Sequence, residues 1–177
     1  LPGKRALGAD SVYALLDQLI AVLENQTGHH RLLLNTLSKE REAIVDSRLD
    51  LIKQTCEDKR DILRHISDSE RQMMALMDQL AKLLGIKSEN LSMMRIAERA
   101  TEPYRTRLFK CGSNIKALIA SIGEANSVNK YLLNHCLEIV KGSLDLLNSI
   151  SASDTVYHAN GRIGKFRPGG RLVEGNF

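Results

Sequence analysis

Apolar residues recur along most of this chain at alternating steps of four and three. One series runs Val12, Leu16, Leu19, Leu23, Gln26, His30, Leu33, Leu37, Glu40, Ile44, with polar residues at three of its ten places. A second runs Val45, Leu49, Ile52, Cys56, Lys59, Leu63, Ile66, Glu70, Met73, Met77, Leu80, Leu84. A third runs Tyr104, Leu108, Cys111, Ile115, Leu118, Ile122, Ala125, Asn129, Leu132, Cys136, Ile139, Ser143, Leu146, Ile150. Steps averaging 3.5 residues hold one face of a helix against a neighbour in a left-handed supercoil, whereas a strand alternates every second residue. The pattern predicts an all-α protein: an elongated antiparallel helical bundle or coiled coil of three long helices plus one short helix, over about 10–44, 48–85, 88–100 and 104–151. A non-helical tail follows over 152–177.

Helix ends are marked by the residues that tolerate them. The first and second series abut with a one-residue slip from Ile44 to Val45, which a single seam cannot absorb. A break at Asp46–Arg48 is expected, with Ser47 capping the new helix and Asp50 in its first turn. Gly28 is a candidate kink in the first helix. Gly85 suits the left-handed residue that closes the second. SENLSMMRIAERA, from Ser88, reads as a short capped helix, and Pro103 opens the last long one. At ~1.5 Å per residue the long helices extend roughly 50, 57 and 70 Å. If they pack antiparallel in turn, the last outruns its partners, and the stripe in CLEIVKGSLDLLNSI is left partly uncovered. Such stripes meet another protein, are covered by the chain's own N-terminal residues, or self-associate.

Composition supports helices and narrows function. Only seven of 177 residues are aromatic and none is Trp, which suits a bundle built from aliphatic side chains better than a sandwich or an α/β enzyme. The net charge of +4 is spread over a mixed surface, so a nucleic-acid face is not expected. No run approaches the ~20 apolar residues of a membrane span. The opening LPGKRALGAD lacks the apolar core of a signal peptide. Cys56, Cys111 and Cys136 are odd in number and scattered, as reduced thiols of a cytoplasmic protein would be.

Catalytic and metal chemistry find no suitable constellation. His29 and His30 are adjacent, about 100° apart on a helix, and His135 and Cys136 fail as a pair for the same reason. His65 and His158 have no partner at ligand spacing. Gly169–Arg171 follows no strand and opens no helix, so it is no phosphate loop. The reading is a non-enzyme with no cofactor and no metal. Five Met residues (73, 74, 77, 93 and 94) fall in one window and read as irregular core more than as an adaptable surface. Gln26, His30, Lys59, Glu70 and Asn129 interrupt the seams, either to fix register or to leave the bundle adjustable. Asn126 and Asn129, one turn apart, are placed to face one groove.

The tail differs from everything before it. It holds five of the twelve glycines, three of the seven aromatics (Tyr157, Phe166, Phe177), and Arg162, Lys165, Arg167 and Arg171. So many glycines oppose a helix, while the rings argue against a plain linker. A flexible recognition arm that folds on a partner is expected, the alternative being a tail docked on its own bundle.

Three stretches resemble the FlgN family, chaperones of the bacterial flagellar export system. KEREAIVDSRLDLIKQTCEDKRDIL is similar to the family's helix-break-helix. EANSVNKYLLNHCLEIVKGSLDLL is similar to its last helix, with N-x-x-N before Leu-Leu. TVYHANGRIGKFRPGGRL is similar to its C-terminal T-x-Y-x-x-x-G-[RQ] motif. The resemblance implies a cytoplasmic chaperone that binds the C-terminal helical segments of the hook-filament junction proteins FlgK and FlgL, keeps them unassembled and delivers them to the export gate protein FlhA. It implies client binding by helix-in-groove packing at Asn126, Asn129, Leu132, Leu133, Ile139, Val140, Leu144, Leu147 and Ile150. It implies gate docking at Tyr157, with Gly161 and Arg162. The rival is a structural coiled coil or scaffold that oligomerises through its seams, and a homodimer fits either reading.

Overall fold

The computed structural model describes residues 3–87, 91–153, 155–157 and 163–165. Four helices and two short strands follow one another: α1 (Gly3–Val45), α2 (Leu49–Leu84), α3 (Met93–Arg99), α4 (Tyr104–Ser153), β1 (Thr155–Tyr157) and β2 (Ile163–Lys165). The chain divides into two compact units, Leu1–Leu132 and Leu133–Phe177.

In the first unit α1 supplies the spine, and its seam reads off the sequence. Leu16, Leu19, Leu23, Gln26, His30, Leu33, Leu37, Glu40 and Ile44 are all buried. α2 runs antiparallel to α1, with Lys59 against Glu40 and the His65 ring stacked on His29. α4 runs in the same direction as α1. The Tyr104 hydroxyl donates to Asp17, Arg107 pairs with Glu24 at 3.0 Å, and Asn129 meets Leu37, so both helices climb together. Tyr104 also stacks on Tyr13. Burial and the Asp17 carboxylate raise the pKa of its phenol.

Two aliphatic clusters hold this unit. The larger joins Leu16, Leu19, Ile20 and Leu23 of α1 to Met77 and Leu80, to Ile96 and Ala97 of α3, and to Leu108, Cys111 and Ile115 of α4. The smaller gathers Leu33, Leu37 and Ile66, with Ile62, Ile122 and Ala125 partly buried against it. α3 therefore fills a fourth-helix position beside one end of α1. The methionines divide: Met77 is buried, Met73 and Met93 pack partly on the larger cluster, and Met74 and Met94 are exposed.

The helix ends correct two sequence expectations. Ser47 does not cap α2. It takes the left-handed conformation, φ 55°, and closes α1 with paired bonds from Arg48 N to Ala43 O and from Ser47 N to Ile44 O. Arg48 is the N-cap of α2 and makes no side-chain cap bond. Gly28 does not interrupt α1, because one glycine costs a long, packed helix only about 1 kcal/mol. α3 starts four residues later than a cap at Ser88 would place it. Ser92 is the cap, its Oγ accepting from Arg95 N at 3.2 Å. Gly85, φ 66°, closes α2 as expected.

In the second unit α4 continues to Ser153, two residues beyond its expected end. Part of the expected flexible arm is a two-stranded antiparallel ladder that pairs Thr155 with Lys165, Val156 with Gly164 and Tyr157 with Ile163.

Candidate functional site

α4 changes character at Asn129, the last buried residue along it among those whose burial is described. Up to that point its seam lies in the core. From Leu137 to Ile150 the same periodicity continues, yet Leu137, Ile139, Val140, Leu144, Leu146, Leu147 and Ile150 are each 54–66% exposed. At 100° per residue these seven side chains cover about half the helix circumference. Glu138, Lys141 and Asp145 fall in the other half. A helix that is apolar over half its surface and exposed there is built to meet a second apolar face.

The residues expected to bind a client separate into three environments. Ile139, Val140, Leu144, Leu147 and Ile150 lie on the exposed face. Leu132 and Leu133 are half-buried. The asparagines part company: Asn126 is exposed, while Asn129 is 3% exposed and belongs to the bundle. Asn129 Nδ2 donates to Leu37 O at 2.8 Å and to Glu40 Oε2 at 2.9 Å. Glu40, also buried, takes Lys59 Nζ on Oε1 at 2.5 Å, so one carboxylate ties α1 to α2 and α4. An unpaired carboxylate would not survive burial, which explains why three polar seam residues meet there. Asn129 thus fastens α4 to the bundle where its exposed part begins.

Leu137 and Leu146 share the exposed face although they are not among the expected client-binding residues. Leu146 already stood in the third apolar series, and Leu137 extends the face at its edge. The signal was the width of the apolar arc, wider than the narrow stripe of a two-helix seam. Of the expected gate-docking residues, Tyr157 lies in β1 opposite Ile163. Gly161 and Arg162 lie outside the described residues.

The fold is a helical bundle whose last helix offers an exposed apolar face. Residues 15–164 match the family described as FlgN protein, and the chain belongs to the FlgN family. This is a family of flagellar export chaperones, not of enzymes, and its members bind flagellar proteins. Neither the curated proteins nor the solved structures yield a match. Among the described residues no helix is long and apolar enough to cross a membrane.

Proposed function

We propose that this chaperone captures the C-terminal helical segments of FlgK and FlgL along the exposed face of α4, keeps them unassembled in the cytoplasm, and hands them to FlhA through the tail that carries Tyr157, Gly161 and Arg162. The observation that carries the reading is the row of seven exposed aliphatic side chains between Leu137 and Ile150. An amphipathic client helix laid along it buries apolar surface on both partners, the helix-in-groove mode of recognition.

Calorimetric titration of the full chain with C-terminal fragments of FlgK and FlgL tests this, beside Val140→Asp/Leu147→Asp and Tyr157→Ala. Micromolar or tighter binding is expected for the full chain and for Tyr157→Ala, with loss in the double Asp variant. A separate pull-down with FlhA is expected to fail for Tyr157→Ala alone. Binding that the double Asp variant retains would refute the assigned face.

A further inference from the structure

The seam of α2 is only partly used by the bundle that contains it. Cys56, Leu63 and Glu70 recur every seventh residue on the seam, yet Cys56 and Glu70 are exposed and Leu63 is 53% exposed. All three border hollows between α2 and α4. One, of about 470 Å³, has Leu33 and Leu37 as its floor, Cys56 to Leu63 on one bank, and Ile122 and Asn126 on the other. The next, of about 320 Å³, has Gln26 as its floor and Glu70, Met73, Ile115 and Ile119 on its banks. The floor residues step back along α1, and the bank residues step along α2 and α4 in register with them. The two hollows therefore follow one line, a furrow between α2 and α4 with α1 at the bottom.

At its end the furrow meets α3. Met93 lines the second hollow and lies 3.4 Å from the position a Cβ on Gly112 would take. α3 thus already occupies the fourth-helix position beside the larger cluster, and beyond Met93 no other described residue borders these hollows from a fourth side. The furrow is the continuation of a place that demonstrably accepts a helix. The bank on α4, Ile115 to Asn126, is about 17 Å long. The exposed face Leu137–Ile150 is about 20 Å long. One chain therefore carries both an open helix furrow and an exposed apolar helix of matching length.

We propose that a second copy of this chain fills the furrow with the Leu137–Ile150 segment of its α4, and that the exchange is reciprocal. A two-fold axis makes each contact generate the other. Seven side chains with roughly 80 Å² of exposed surface each, doubled by symmetry, come to about 1,100 Å² before the furrow's own surface is added. Stable interfaces begin near ~1,200 Å². The dimer covers the face that the proposed client would use, so client and second copy compete for it.

Sedimentation equilibrium of the full chain over micromolar concentrations tests this with Ile119→Glu in the furrow, Leu144→Glu on the exposed face, and a mixture of the two. Both residues are 54% exposed, so helicity by circular dichroism is expected to stay unchanged. The full chain is expected to dimerise, and each variant to weaken dimerisation at least about a hundredfold through a carboxylate in an apolar contact. The mixture retains one intact furrow and one intact face, so it is expected to regain a heterodimer. A monomeric full chain would overturn the proposal. So would a dimer untouched by Ile119→Glu, which would mean pairing face against face. A client fragment protecting Cys56 in a monomeric chaperone would give the furrow to the client instead. Loss of client binding in the titrations above leaves these outcomes unaffected, so the two readings fail separately.

Discussion

Replacing Lys59 with Met probes the polar node that fastens α4 to the bundle. The Glu40 side chain is 3% exposed and that of Lys59 is 21% exposed. Methionine keeps most of the apolar stem and removes the charge. Glu40 is then left with the Asn129 amide and the weak Cys56 thiol at 3.9 Å. Breaking one side of a buried pair costs about 3–5 kcal/mol. Lys59 borders the open furrow, where water can reach the gap, so the lower end, about 3 kcal/mol, is expected. Glu40→Gln leaves an ammonium that reaches solvent and keeps an acceptor for Asn129, so about 1 kcal/mol is expected. The double variant has no stranded charge and should be more stable than Lys59→Met alone, a coupling of about 2 kcal/mol. Urea is the denaturant of choice, since guanidinium would screen the pair. Unfolding is followed by far-ultraviolet circular dichroism at low salt. A cost below about 0.5 kcal/mol for Lys59→Met, or additive single variants, would refute a desolvated pair at this node.

Two glycines should answer the same substitution with opposite signs. Gly85→Ala forces a Cβ into the left-handed conformation at φ 66° and is expected to destabilise by about 1 kcal/mol. Gly28→Ala meets nothing within 4 Å inside α1 and is expected to stabilise by about 0.5–1 kcal/mol. Urea midpoints check both. The thiols should react in order of access: burial, then the nearby Glu24 carboxylate, push the Cys111 thiol up. In the monomer, where the furrow is open, exposed Cys56 is expected to be alkylated first near neutral pH and Cys111 last, as peptide mass spectrometry of a quenched time course would show. Faster labelling at Cys111 would mean that the larger cluster opens locally.

Much of the first unit was legible because a period of 3.5 is a statement about one face. Every buried member of the α1 series follows from it, polar ones included, since Gln26, His30 and Glu40 occupy seam places regardless of chemistry. The same rule overreached on α2. Periodicity shows that a face is apolar without saying what covers it, and Cys56 and Leu63 have the spacing of core residues while bordering an open furrow. Helix ends were harder because one residue type serves two geometries. Ser47 has the side chain of an N-cap, yet the backbone uses it as the left-handed closer of α1, a role usually given to glycine. Ser88 and Ser92 compete for one cap, and the sequence carries no term that separates them. On α4 the exposed face was visible as a continued period past Asn129. Asn126 and Asn129 were read as equivalent, and only packing shows one holding the bundle together and the other lining its surface.

Amide hydrogen exchange of the full chain, with and without a saturating C-terminal fragment of FlgK or FlgL, asks whether α4 beyond Asn129 is the proposed client-binding face. At concentrations where the free chain is monomeric, new protection over Leu137–Ile150 is expected, with the buried part of α4 before Asn129 unchanged. Protection confined to the tail around Tyr157, or none on α4, would contradict it.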